Sequence, residues 1–236
     1  MWLLYERMFA SVDRLESRPA PDEHLISRIR PMVAPSARLL PVVEALQPLL
    51  PDGGLRRGST TVVVAPPGHG GATLALTLLS APSAAGHWCG VVGMGDPGIT
   101  AMTELGVDLR RVVFVPTPGG KWAEVAGELI DGTDVILIRL GLPVPHAVAR
   151  NLIAKARDRS AVLVILTATS GQWPIGGDVE LSIPHAAWVG ANAGHGHLAG
   201  RRAAVSVIGR RGANQEHTAT LWLPSASGDV TVAAAR

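Results

Sequence analysis

From Gly53 onward the chain alternates short runs of consecutive apolar residues with segments of helical period. The runs at 61–65, 89–93, 112–115, 134–138 and 161–167 have the length and continuous apolar character of buried strands. Between them, 73–79, 100–105, 122–130 and 147–156 read as helices. In the third of these, Trp122, Val125, Ala126, Leu129 and Ile130 share one face. Strands that are apolar throughout and alternate with helices predict a parallel sheet covered on both sides.

After Gly177 the pattern changes. Residues 178–183, 186–189, 203–208 and 218–223 read as strands joined by short turns, with G-R-R-G-A-N (209–214) as a hairpin loop. The predicted fold class is therefore α/β, a mostly parallel sheet with antiparallel strands at one edge. Ahead of it, Leu4, Met8, Val12 and Leu15 fall on one helical face, flanked by Trp2, Tyr5 and Phe9. S-R-P-A-P-D (17–22) breaks that helix, and Asp22 is placed to cap a second one reaching about Arg30. A proline-spaced stretch, 31–52, leads into the core. The expected division is a helical N-terminal extension (1–50), an α/β core (51–224) and a loose tail (225–236).

Composition sharpens this picture. Hydrophobic residues make up 47% and aromatics 4%, so the core must be largely aliphatic. No apolar stretch approaches the ~20 residues that cross a bilayer, which predicts no membrane partner. The opening M-W-L-L-Y-E-R-M-F has no basic leader, and the single Cys89 permits no internal disulfide. Both point to a reducing cytoplasm. A net charge of +2 is too small to argue for nucleic acid.

The chemistry turns on A-P-P-G-H-G-G-A-T (65–73), directly after the strand T-T-V-V-V. A phosphate-binding loop there reads G-x-x-x-x-G-K-[ST]. Gly70 is in place, but Ala65 stands for the leading glycine, Gly71 for the lysine and Ala72 for the Ser/Thr. The lost lysine is worth about 4 kcal/mol at roughly 4 Å and an effective dielectric near 20. That weakens triphosphate binding about a thousandfold. Without a hydroxyl at Ala72, Mg²⁺ loses its first protein ligand. The strand T-D-V-I-L-I-R, where an aspartate should anchor the metal, ends in Arg139. After C-G-V-V-G-M-G the register position for a hydrolytic carboxylate is Gly95, with Asp96 one step late. Three elements fail together, so no ATPase activity, cofactor or metal is expected. The remnant loop (Ala65, Gly68, Gly70, Gly71, Ala72) with Arg139 is at most a weak anion site, and Arg139 is expected to pair with a carboxylate such as Asp96 or to reach solvent.

These stretches resemble the RecA family. G-G-L-R-R-G-S-T-T-V-V-V-A-P-P-G-H-G-G-A-T-L-A-L (53–76) is similar to RecA's approach to and through its Walker A loop. W-C-G-V-V-G-M-G-D (88–96) resembles the strand carrying the RecA catalytic glutamate, and E-L-G-V-D-L-R-R-V-V-F-V (104–115) the turn before the third strand. The resemblance spans about 50–224 and implies a RecA-like P-loop-type core whose ATP residues are lost. The segments 141–145 and 170–176 are too short for RecA's DNA-binding loops.

Chains of this kind with an N-terminal helical segment resemble the ImuA group, and within it the ImuA-prime branch. That resemblance implies a non-catalytic accessory protein of the damage-induced mutasome, active in translesion synthesis and DNA repair under the SOS response. Its implied partners are an ImuB-like Y-family polymerase homologue and, directly or through it, an error-prone DnaE-type polymerase. The alternatives are a SulA-like division inhibitor that binds FtsZ, and a residual nucleotide sensor without hydrolysis.

Other constellations carry less. Trp2, Leu4, Tyr5, Met8 and Phe9 form a candidate surface for a partner or a second copy of the chain, the alternative being that they fold back on the core. Arg201, Arg202, Arg210 and Arg211, at strand ends and turns, are candidate weak DNA contacts or plain solvated hairpin ends. His195 and His197 in G-H-G-H lack a nearby Cys or carboxylate and make a poor zinc site. Trp122, Trp188 and Trp222 are expected to be core or sheet-covering residues, and Cys89 to be buried.

Overall fold

The computed structural model describes residues 38–190, 196–209 and 217–233. The candidate contact residues Trp2, Leu4, Tyr5, Met8 and Phe9, both predicted N-terminal helices, His195, Arg210 and Arg211 lie outside the described residues.

The organising element is a nine-stranded sheet with strand order β11-β10-β9-β8-β3-β7-β6-β4-β5. Its parallel half consists of β3 (Thr60–Val64), β4 (Cys89–Val92), β5 (Val112–Val115), β6 (Val135–Arg139) and β7 (Val162–Thr167). Helices α1 (Gly71–Ala84), α2 (Ile99–Glu104), α3 (Trp122–Gly132) and α4 (His146–Arg159) connect these strands. The apolar runs of β3, β4, β6 and β7 are buried on both faces, as predicted, while β5, at the edge of the sheet, is only half-buried. Val135 and Leu137 face one core while Ile136 and Ile138 face the other. The second core lies under α3 and α4, where Ala126, Ile130, Ala149, Leu152 and Ala156 supply the buried stripe of amphipathic helices. On the opposite face sits α1, whose Leu74–Ser80 are all buried, as befits a helix that is apolar nearly all round.

Three expectations are corrected. The stretch 38–50 is not a helical extension. β1 (Leu39–Leu40) pairs antiparallel with β2 (Leu55–Arg56), and a 3-10 turn over Glu44–Leu49 follows β1. Leu40, Val42, Leu46, Leu49 and Leu50 are buried in the same core as α1, so the core starts near residue 38. The prolines that read as a linker only prevent regular helix there.

As far as Ala233 the tail is not loose either. β11 (Thr231–Val232) pairs with β10 (His217–Trp222), and Val230 and Ala233 are buried. Finally, the two predicted strands at 178–183 and 186–189 are one strand, β8 (Val179–Val189). Its pairing with β9 (Gly200–Gly209) shifts between Ser182 and His185, where Pro184 cannot donate to the ladder. β8 pairs with β3 only over Val179–Ser182. Beyond the bulge it runs past the end of β3 with β9 alone. This overhang carries the start of β9 over the loop that follows β3.

Candidate functional site

The loop after β3 keeps the backbone of a strand–loop–helix junction. Ala65 donates its N–H to the Thr167 carbonyl at 3.0 Å, and the His69 N–H closes a turn on Pro66 at 3.1 Å. Gly68 and Gly70 have φ of +85° and +98°, a region L side chains rarely adopt, and Gly70 leads into α1. The shape therefore depends on these two glycines.

Packing fills the space beside the lysine position. A Cβ built on Gly71, at the lysine position, would lie 2.6 Å from the Ala65 Cβ and 3.0 Å from Leu166 Cδ1. Ala65 stands where the leading glycine should be, so the two substitutions fit each other: the added methyl occupies the space the lysine stem would need. Ala72 is exposed and has no hydroxyl to offer. Arg139, at the end of β6, is exposed, and among the described residues no hydrogen bond or ion pair holds it. It reaches solvent and does not pair with Asp96, whose carboxylate accepts from the Gly98 N–H in a local turn at 3.0 Å. The segments after β6 and β7 are short, as predicted, and are fastened together. Gln172 accepts from the Ala168 N–H at 2.9 Å, and its own carbonyl accepts from Val144 at 3.0 Å.

Arg201 overturns the sequence reading most plainly. Expected at a solvated hairpin end as a weak DNA contact, it is only 7% exposed. Its guanidinium donates to the Leu223 carbonyl at 2.7 Å, the Gly68 carbonyl at 3.2 Å and the Thr73 hydroxyl at 3.0 Å. The Trp188 ring lies 4.9 Å from it, in cation–π contact. So close is the approach to the loop that a Cβ on Gly70 would stand 2.7 Å from one of its terminal nitrogens. Burial pulls its pKa below the ordinary arginine value, the direction expected when a cation leaves water. Trp188 itself is 47% exposed, and so is no simple sheet cover. Arg202, the next residue, points to the opposite face, half-buried and 5.9 Å from the Trp222 ring.

The sequence did carry a signal for Arg201. It is in phase with Ala203, Val205 and Val207, the buried residues of β9, and out of phase with Arg202 and Ala204. Nothing in the sequence marked the overhang of β8 that brings this inward position onto the loop. His69 helps fix the overhang, its Nδ1 donating to the Ile183 carbonyl at 3.2 Å.

Together these elements border a cavity of about 570 Å³ at the carboxyl ends of β3, β6 and β7, where ligands of open α/β sheets bind. Among the described residues Arg139 and Arg201 are its charged lining residues, and no Asp or Glu borders it. A smaller cavity of about 340 Å³ lies at the opposite end of β3, beside Arg57, Arg157 and Asp178. Asp178 is engaged there by the Thr60 N–H at 3.0 Å.

Arg57, from the lining of the smaller cavity, joins Asp134 at 2.7 Å; the same carboxylate meets His87 at 3.3 Å and accepts the Trp88 N–H at 3.2 Å. Burial works against ionisation of this carboxyl. The Arg57 hydrogen bond and charge, with His87 and Trp88, outweigh it and hold the pKa below the usual range. Cys89 is buried as expected, and its thiol is pushed up to about 12 by burial and then by the Asp134 charge. Among the described residues there is no cluster of three metal-ligating side chains, and no helix is long and apolar enough to cross a membrane.

Comparison with known proteins gives two findings. A family model described as the MT3502 N-terminal domain matches residues 48–174, a little over half of the chain. The chain is also 35% identical over 166 residues to the uncharacterized protein Rv3395c of Mycobacterium tuberculosis (strain ATCC 25618 / H37Rv). That alignment covers 70% of this chain and 77% of the mycobacterial protein.

Proposed function

This chain belongs to the MT3502 N-terminal domain family, and we propose that it is a RecA-like, ImuA-prime-type adaptor without catalytic activity. It serves damage-induced mutagenic translesion synthesis in the cytoplasm, binding an ImuB-like Y-family polymerase homologue and supporting an error-prone DnaE-type polymerase. The observation that carries the reading is the loop after β3. The lysine position is closed by the Ala65 methyl, Arg139 stands where a metal-binding carboxylate belongs, and the Arg201 guanidinium rests on Gly70. A site rebuilt in this way keeps a fold while giving up phosphoryl transfer.

The RecA-like assignment draws support from the central place of β3 in the sheet, the glycine loop leading from it into α1, and the antiparallel strands at one edge. Trp2, Leu4, Tyr5, Met8 and Phe9 are the proposed partner contact.

The test is affinity capture of the tagged chain from DNA-damaged host cells, read by mass spectrometry beside an ATP hydrolysis assay. The adaptor reading expects a Y-family-like protein and a DnaE-type polymerase in the capture, with no saturable Mg²⁺-dependent turnover. Recovery of FtsZ without them moves the chain to a SulA-like role, and turnover overturns the non-catalytic reading.

A further inference from the structure

We infer that the smaller cavity, at the amino end of β3, binds a zwitterionic aliphatic molecule, a free α-amino acid or a short peptide. The ammonium of that ligand rests on Ser59, Thr61 and Asp178, and its carboxylate meets Arg56 and Arg157. The inference is independent of the adaptor reading.

The cavity is walled by regular elements. Leu55 of β2, Thr61 of β3, Val179 of β8 and the 3-10 turn Pro51–Gly53 surround it, with Arg157 from the last turn of α4. Its volume of about 340 Å³ lies at the small end of the range for ligand pockets, about 300–1,000 Å³. Leu50, Leu55 and Val179 are buried and give it an aliphatic floor. Among the described residues no aromatic side chain lines it, so a flat ring finds nothing to stack on.

Three oxygens border this apolar space with hydrogen-bonding capacity left over. Thr61 is 1% exposed, yet among the described residues no hydrogen bond engages its hydroxyl. A hydroxyl withdrawn from water is ordinarily paired, because an unmet one keeps its full desolvation cost. Ser59 spends its proton on the Arg56 carbonyl at 2.6 Å and offers the cavity only lone pairs. One oxygen of Asp178 accepts the Thr60 N–H at 3.0 Å, while the other is unengaged among the described residues. Ser59 and Thr61 stand two residues apart at the start of β3, which puts them on one face. Acceptors therefore prevail inside the cavity, and the group that complements them is an ammonium with its three N–H donors.

The charges fix the rest of the ligand. Arg56 and Arg157 are exposed at the mouth and join no ion pair among the described residues. Arg57 is matched by Asp134, which does not line the cavity. That leaves two arginines against Asp52 and Asp178, a balanced lining that favours a ligand of no net charge. A simple amine would meet the two arginines uncompensated, and a simple carboxylate would meet Asp178. A molecule that carries both groups on an aliphatic body satisfies each through charge-assisted hydrogen bonds.

The experiment is isothermal titration calorimetry of the full chain with L-leucine and with the dipeptide leucyl-leucine. N-acetyl-leucine, which lacks the ammonium, and leucinamide, which lacks the carboxylate, are titrated at matched ionic strength. Saturable binding of leucine, the dipeptide or both is expected, weakened about tenfold or more when either charged group is removed. Tighter binding of the dipeptide makes the ligand a peptide, and tighter binding of leucine makes it the free amino acid.

Three variants place the ligand. Asp178→Asn keeps an acceptor for the Thr60 N–H but loses the charge, and should weaken binding about tenfold. Arg157→Gln should weaken it too, and its side chain is exposed and unpaired, so that variant keeps its fold. Thr61→Val should weaken binding while leaving Tm unchanged or higher, because it removes an unmet hydroxyl from an apolar wall. The inference is overturned by any of four results: no saturable heat with leucine or the dipeptide, N-acetyl-leucine binding as well as leucine, affinity unchanged by Asp178→Asn and Arg157→Gln, or a lower Tm for Thr61→Val. The adaptor reading is unaffected by each of these.

Discussion

Gly70→Ala probes the contact between β9 and the loop through a single methyl group. The residue has φ of +98°, so an L side chain there carries a backbone penalty of about 1–2 kcal/mol. The new Cβ would also stand 2.7 Å from a terminal nitrogen of Arg201 and 2.9 Å from its central carbon, which forces the guanidinium to move. Moving it breaks the bonds to Gly68 and Thr73. Hydrogen bonds of a charged group are worth about 1.5–3 kcal/mol each, but the displaced cation regains water, so the net loss is roughly 1–2 kcal/mol.

The expected total is about 3 kcal/mol, or a fall in Tm of roughly 6–12 °C for a domain of this size. Differential scanning calorimetry on wild type, Gly70→Ala, Arg201→Met and the double variant separates the two contributions. With methionine at 201 the clash is gone, and Gly70→Ala should cost only the backbone part, leaving a coupling of about 1–2 kcal/mol. Equal costs in both backgrounds would refute the claim that Arg201 bears on the loop.

Two further outcomes follow from titratable groups. The Asp134 carboxyl has its folded pKa held below the usual range, so it stabilises the fold above the unfolded pKa of about 4 and loses that contribution as pH falls through the folded value. Asp134→Asn should therefore destabilise by roughly 1 kcal/mol at pH 7, discounted for partial exposure, and urea melts should show the gap closing below about pH 4. Cys89, buried with its thiol pushed up to about 12, should resist a thiol reagent in the native protein at pH 8 and react fully in denaturant. Rapid native labelling would contradict the burial.

Much of the parallel half of the sheet was legible because its central strands are buried on both faces and all its strands read as unbroken apolar runs. The run 112–115 coincides with β5, and 122–130 falls inside α3. The edges were less legible. The 38–50 segment reads as a linker because prolines break its period, yet its Glu44–Leu49 turn packs beside β10 and β11, far away in sequence. β11 is two residues long and gains its pairing only from β10, so no local period announces it. The departures from a phosphate-loop pattern at Gly71, Ala72 and Arg139 were legible in the sequence. The contact of Arg201 with the loop was not, because Arg201 lies more than a hundred residues away and reaches the loop through a bulge at Pro184.

The fit between Ala65 and Gly71 has an evolutionary consequence. Reinstating the lysine alone would drive its stem into the Ala65 methyl, and reinstating the first glycine alone would leave a gap beside Gly71. Each of the two changes is thus disfavoured without the other, in either direction. The two positions are bound to change as a unit, so a chain carrying Ala65 with Gly71 keeps that pairing however the surfaces around the loop vary.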